Sequence, residues 1–280
     1  MIFGLSGPDA PCDDAGGGAD GARRFESMGV SVALGGKGGT GKTTIAGLLI
    51  RYMIKNGMRP VLAVDADSNS NLNEVLGVPL DATLSDARET MKKDVPVGMT
   101  KDIFMEMKME EALVERDGFD LVAMGRPEGP GCYCAANNIL TELLERLMKN
   151  YEYLVVDNEA GMEHFSRLTQ KNIDLLLLVS DASRRGLTAA CRIAQLVKDL
   201  PIRVERKMLV VNQMSAPVES WPSEVTETFG EDGVVVFPSD PLLAQYDMEG
   251  KPTISLPDDS AVVKASEELF EHLLASHKAA

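Results

Sequence analysis

Seven short runs of aliphatic and β-branched residues recur along this chain, and their rhythm restricts the fold more than any other feature. They are VSVAL at 30–34, VLAVD at 61–65, FDLVAMG at 119–125, YLVVD at 153–157, DLLLLVS at 174–180, MLVVN at 208–212 and VVVF at 234–237. Each is nearly continuous in apolar residues, as strands covered on both faces are. Helical periods lie between many of them. Ile139, Leu140, Leu143, Leu144, Leu147 and Met148 fall on one face of a helix over 136–149. Leu187, Ala190, Cys191, Ala194 and Val197 line a second, and Leu269, Leu273 and Leu274 mark a last one. Strands alternating with helices predict an α/β fold: a doubly wound, mostly parallel sheet of about seven strands with helices on both faces. No internal repeat divides it, so one domain is expected over 28–280.

The first 27 residues differ. They hold Gly16-Gly17-Gly18, two prolines and five acids with no apolar period, too little burial to offset the entropy of ordering them. A disordered extension is expected there, with Met28 as an alternative start. Cys12 lies in it and is given no role.

The 280 residues carry 28 Lys plus Arg against 43 Asp plus Glu, a net charge of −15. That balance argues against a protein that grips nucleic acid or an anionic membrane, both of which call for a basic surface. Four cysteines in this length do not make a secreted disulfide scaffold. No run of 18 apolar residues is present, and the N-terminus lacks the basic and apolar regions of a signal peptide. A cytoplasmic protein is expected.

Directly after the first strand run comes Gly35-Gly36-Lys37-Gly38-Gly39-Thr40-Gly41-Lys42-Thr43-Thr44, followed by an apolar helix over 45–54. Residues 36–43 fit G-x-x-x-x-G-K-[ST]. The glycines let backbone N–H groups close around phosphate oxygens, and the helix N-terminus adds partial positive charge. Lys42 is expected to reach the β/γ-phosphates and the Thr43 hydroxyl to ligate Mg²⁺. Two acidic strand ends supply further candidates. Asp65-Ala66-Asp67 closes the second run at the carboxyl edge, where open α/β sheets bind ligands. Asp157 closes the run at 153–157 and reads as a Walker B aspartate holding Mg²⁺ through water. Ala160-Gly161 follows as a hinge near the γ-phosphate, and His164 is read as a surface residue. The N-K-x-D pattern of GTPases is absent, which favours ATP.

The string GGKGGTGKTT, with its second lysine Lys37, resembles the deviant phosphate loop of the MinD/ParA/NifH family of ATPases. The resemblance implies that Lys37 reaches across a nucleotide-sandwich dimer to the partner's phosphates. It also makes Asp65 and Asp67 the first switch, with Asp67 positioning the attacking water and Asp65 turned toward Mg²⁺ or its waters. Strand-end capping is the other reading of these two aspartates. Asn212-Gln213 and the stretch around Pro238 and Asp240 resemble the family's adenine-binding edges.

A second feature separates this chain from a generic member of that family. Gly125-Arg126-Pro127-Glu128-Gly129-Pro130-Gly131-Cys132-Tyr133-Cys134 stands between a strand and the helix over 136–149. Two thiols one residue apart suit Zn²⁺ or Ni²⁺, yet they are half a tetrahedral site. A twofold axis through the loop would supply four sulfurs from two chains; a redox pair or a loop without function is the other reading. Together GGKGGTGKTT, VDADSNSNL, GRPEGPGCYC and DNEAGMEH look like the CooC type of maturation ATPase for nickel carbon monoxide dehydrogenase, over about 29–275. That resemblance implies an ATP-driven homodimer that binds Ni or Zn at Cys132 and Cys134 and assists nickel insertion into the dehydrogenase, without nucleic-acid or membrane partners. Three alternatives stand beside it. A positioning ATPase of the MinD/ParA kind would need a basic surface or tail, whereas residues 266–272 are acidic. A maturation ATPase for acetyl-CoA synthase would share the same motifs. An iron–sulfur reductase like NifH places its two cysteines far apart in sequence, unlike this pair.

Overall fold

The computed structural model describes residues 30–274 apart from 94, 127–141, 143, 160–171 and 217. Cys132, Cys134, Ala160, Gly161, His164 and the extension 1–27 lie outside the described residues, as does most of the helix expected over 136–149; residues 144–148 of that span are helical.

Among the described residues eight strands form one sheet: β1 (Ser31–Gly36), β2 (Val61–Ala66), β3 (Leu113–Arg116), β4 (Phe119–Ala123), β5 (Tyr153–Asn158), β6 (Asn172–Ser180), β7 (Arg203–Met214) and β8 (Val234–Pro238). The order is β3-β4-β2-β5-β1-β6-β7-β8, parallel throughout except that β3 runs antiparallel to β4 at one edge. Each of the seven expected runs is a strand. The eighth, β3, escaped the apolar pattern because LVER is short and half exposed on an edge. It is specified by its turn instead: Asp117-Gly118, with Gly118 at φ 93°, is a two-residue hairpin connection of the favoured Asp-Gly type.

The sheet is buried on both faces because successive side chains alternate. Val32, Leu34, Ala63, Val155, Leu177 and Val210 face α1 (Lys42–Lys55) and the C-terminal helix Ala261–Leu274. Ala33, Leu62, Val64, Val156, Leu178 and Val211 belong to the opposite core. On the first face, Ile45, Leu48, Leu49, Tyr52 and Met53 of α1 are all 3% exposed or less, each worth about 1.5–3 kcal/mol on burial. Tyr52 meets Phe270 with ring centroids 5.8 Å apart. An ionic clip closes that helix pair at its rim, where Lys55 Nζ lies 2.8 Å from Glu267 Oε1 and Arg51 donates to the Leu256 carbonyl at 3.1 Å.

Among the described residues, α1 is followed by α2 (Leu72–Leu76), α3 (Leu84–Lys93) and α4 (Lys101–Ala112), and α5 (Arg184–Leu196) lies beyond β6. The expected apolar stripe of α5 is buried at Leu187, Ala190, Cys191 and Ala194, and Val197 continues it into a 3₁₀ turn. Then come α6 (Ser223–Phe229), α7 (Pro241–Glu249) and α8 (Ala261–Leu274). No described helix is long and apolar enough to cross a membrane. β1 stands at the centre between β5 and β6; β5 returns to insert between β1 and β2, and the chain then crosses to the far side of β1 for β6, β7 and β8. Ligand sites of such sheets lie at the carboxyl edge beside this reversal.

Candidate nucleotide site

The carboxyl end of β1 runs straight into the glycine loop. Gly36 still pairs with Val179 of β6, and a Cβ there would stand 2.1 Å from the Val179 carbonyl oxygen. The residue must be glycine for the strand to continue this close to its neighbour. Gly41, at φ 91°, turns the chain into α1, and a Cβ on it would come within 2.3 Å of Asn212 Nδ2. No side chain caps α1, and no acid stands in its first turn. The N–H groups that begin a helix need partners; here they and the positive end of the helix dipole are left to an anion.

The loop is held from inside. The Lys37 carbonyl accepts from Thr40 Oγ1 at 2.9 Å and from Lys42 Nζ at 3.4 Å. Lys42 and Thr40 are buried, Thr43 and Thr44 are half-buried, and Lys37, Gly38 and Gly39 form the exposed tip.

Three aspartates gather beside it. Asp65 and Asp157 are direct partners across β2 and β5, and Asp157 also pairs with Leu34 of β1. Parallel register therefore sets both carboxylates on the face that carries α1. Asp65 is 1% exposed and accepts from the backbone of Asp67 at 3.0 Å and of Leu72 at 2.9 Å. Burial pushes its pKa up to about 6, against the pull of those amides. Asp157, also 1% exposed, has two buried oxygens with no hydrogen-bond partner. Burial pushes it up to about 7, opposed by the nearby Thr43 hydroxyl and the Lys42 charge and reinforced by Asp65. A bare buried carboxylate beside a hydroxyl and an ammonium suits a hard divalent cation, whose ligands are oxygens. Asp67 is half-exposed, and its carboxylate receives the Asn69 N–H at 2.9 Å, fixing the turn after β2.

The expected adenine-edge residues divide. Asn212 is 4% exposed and donates through Nδ2 to the Thr40 carbonyl at 3.0 Å, so it braces the phosphate loop. Gln213 is exposed at φ 58°. Pro238 closes β8, and Asp240 caps α7 through the Leu242 N–H at 2.8 Å. The second Asp240 oxygen accepts from Ser260 Oγ at 2.6 Å and Val262 N at 3.1 Å. Burial raises its pKa, but those donors outweigh burial and hold it below the usual range. Its carboxylate thus joins the starts of two helices.

One residue beside the site has no signal in the motif pattern. Asn158 is 1% exposed and donates through Nδ2 to the Leu34 carbonyl at 2.8 Å, where β1 and β5 part below the loop. Only its place at the end of an apolar strand, directly after Asp157, hints at it. Nearby, the Met124 N–H donates to the Asp65 carbonyl at 2.8 Å and the Ser85 hydroxyl to the Gly125 carbonyl at 3.2 Å. The segment that leads into the cysteine loop is thereby tied to the acidic strand end. Among the described residues no cluster of three or more His, Cys, Asp or Glu forms a metal site. Cys191 is free and buried against the sheet, as its place on the apolar stripe requires.

Residues 31–254 match the family described as the CobQ/CobB/MinD/ParA nucleotide binding domain. An uncharacterized ATP-binding protein of Methanocaldococcus jannaschii is 40% identical over 248 residues, covering 87% of this chain and 98% of that protein. The carbon monoxide dehydrogenase accessory protein CooC of Rhodospirillum rubrum is 31% identical over 252 residues, 85% of this chain and 87% of its own. Among solved structures, the septum site-determining protein MinD of Pyrococcus horikoshii, complexed with Mg-ADP, superposes with a TM-score of 0.63 at 22% identity. That match covers 90% of this chain and 99% of MinD, and at that identity it speaks for the fold.

Proposed function

The chain belongs to the CobQ/CobB/MinD/ParA nucleotide-binding family and is an ATPase, and on that footing we propose that its hydrolysis serves the maturation of a nickel enzyme. In this reading an ATP- and metal-promoted homodimer holds Ni²⁺ or Zn²⁺ between two Cys132/Cys134 pairs. It then assists nickel insertion into carbon monoxide dehydrogenase in the cytoplasm. The observation that carries the catalytic part is the bare, buried Asp157 carboxylate set beside Thr43 and Lys42. The finer assignment is supported by the C-x-C pair in a chain related to CooC.

The proposed roles follow from position. Gly36, Gly38, Gly39, Gly41 and the first turn of α1 wrap the phosphates with backbone N–H groups. Lys42 neutralises the β/γ-phosphates, and Thr44 completes the helix start. The Thr43 hydroxyl and, through water, Asp157 would hold Mg²⁺, which when bound spreads the charge of the transferring phosphoryl group. Asp67 orients the attacking water at the mouth of β2 while Asp65 anchors the turn. Phosphoryl transfer depends on such positioning and charge neutralisation. Lys37, at the exposed loop tip, is assigned to the partner protomer's phosphates. Asn212, Gln213, Pro238 and Asp240 are assigned to the adenine side, Asn212 acting through the loop it braces.

Calorimetric titration of Ni²⁺ into the protein, with molar mass followed by light scattering in the presence of ATP, tests this function. One ion per two chains is expected, lost in the Cys132→Ser/Cys134→Ser double variant. Undiminished Ni²⁺ affinity in that variant overturns the shared-thiolate site.

A further inference from the structure

Residues 181–219 carry seven Lys and Arg against four acids, in a chain where acids outnumber bases overall. Within that stretch Arg185, Arg192 and Leu196 stand at i, i+7 and i+11 of α5, a spacing that returns to one helix face. All three are exposed, Leu196 at 62%, while the opposite face is buried against the sheet. Seven residues of helix separate the two backbone positions by about 10 Å along the axis. Among the described residues no carboxylate lies within 4.0 Å of either, and Glu224 of the neighbouring α6 is turned to the Thr188 hydroxyl at 3.5 Å.

We infer that this face of α5 is a docking surface for an acidic protein partner whose carboxylates pair with Arg185 and Arg192 around an apolar seat for Leu196. Arginine suits the task because its planar fork pairs a carboxylate with two hydrogen bonds, and arginines beside a packed apolar anchor are common at binding hot spots. A nucleic-acid duplex fits less well. It would drag a long line of phosphates past the remaining acidic surface, and an exposed leucine offers phosphate nothing. A protein presents its charge locally, within the ~8 Å over which physiological salt leaves it unscreened. The face also adjoins the nucleotide. α5 begins four residues after Ser180, next to Val179, which pairs with Gly36 of the phosphate loop. Ser183 Oγ, accepting from Gly186 N at 3.0 Å, fixes that start.

Resting on the function proposed above, the partner in the test is purified nickel-free carbon monoxide dehydrogenase. Its binding to the protein is measured by surface plasmon resonance with ATP at two salt concentrations. Wild type is expected to bind more weakly at high salt. Arg185→Glu/Arg192→Glu should lose tenfold or more, and Leu196→Ser should lose severalfold, with basal ATP hydrolysis, Ni²⁺ binding and thermal unfolding unchanged. Binding by both variants equal to wild type overturns the docking surface and leaves the proposed function standing. No binding by wild type overturns both. Duplex DNA retained by wild type and released by the variants overturns the acidic-protein assignment, and so does a change in dimer mass without a change in dehydrogenase binding.

Discussion

Replacing Asp157 with asparagine should stabilise the nucleotide-free protein while abolishing its hydrolysis. The carboxylate is buried, lacks a hydrogen-bond partner and has its pKa pushed from 3.8 to about 7. At about 1.36 kcal/mol for each tenfold change in proton affinity, that rise corresponds to roughly 4 kcal/mol of instability when the group is ionised. A desolvated amide in its place costs about 1–2 kcal/mol, leaving a net gain of about 2–3 kcal/mol. For a chain of this size that is a rise in Tm of roughly 5–10 °C. The sign with pH follows from the raised folded-state value. Between about pH 4 and 7 the unfolded chain binds fewer protons at this group than the folded one, so stability falls as pH rises through that window. Asp65, raised to about 6, acts in the same direction. Calorimetric unfolding in EDTA at pH 4.5 and 7.5 is the assay. The advantage of Asp157→Asn should be large at pH 7.5 and shrink toward pH 4.5, and Mg-ADP should stabilise wild type alone. A variant no more stable than wild type at pH 7.5 would refute the assignment of a buried charge that its neighbours offset only in part.

Further outcomes follow from the loop and its braces. Gly41→Ala meets both a positive φ and a 2.3 Å approach to Asn212, so fluorescent ADP should bind at least tenfold more weakly. Gly38→Ala, with nothing within 4 Å, should unfold in urea within about 0.5 kcal/mol of wild type. Asn212→Ala leaves the Thr40 carbonyl without its buried donor, a cost of about 1–3 kcal/mol. ADP affinity measured by calorimetry should fall about tenfold, and unchanged affinity would separate Asn212 from the nucleotide. Arg51→Ala cuts the clip between α1 and α8 and should lower urea stability by about 1 kcal/mol with ADP affinity unaltered.

The parts that local chemistry specifies were legible. Seven strands announce themselves because a strand buried on both faces is nearly continuous in apolar residues, as Val32 and Leu177 illustrate at 1% exposure or less. The phosphate loop is legible because Gly36 and Gly41 are required by backbone geometry at a fixed distance from the helix start. β3 was lost to the apolar pattern because an edge strand needs no continuous apolar run, and only its Asp-Gly turn marks it. Asp240 shows the reverse problem. Its place after a strand suggests a ligand edge, and only the packed structure adds that its oxygens also accept from the starts of α7 and α8.

Sequence alone therefore determined the alternation of elements, the glycine positions and the identity of each polar strand end. These are properties of adjacent residues, set by side-chain period and by the φ values a Cβ forbids. Tertiary structure decided which of those ends meet. Asp65 and Asp157 are 92 positions apart in the chain, yet they become neighbours because β2 and β5 pair in parallel register. Asn212 reaches Thr40 from 172 residues away. Strand order is settled by how helices cover the two faces of the whole sheet, a balance no single segment carries. The same packing leaves one carboxylate buried without a partner beside the loop, where a metal-bound phosphate can be held.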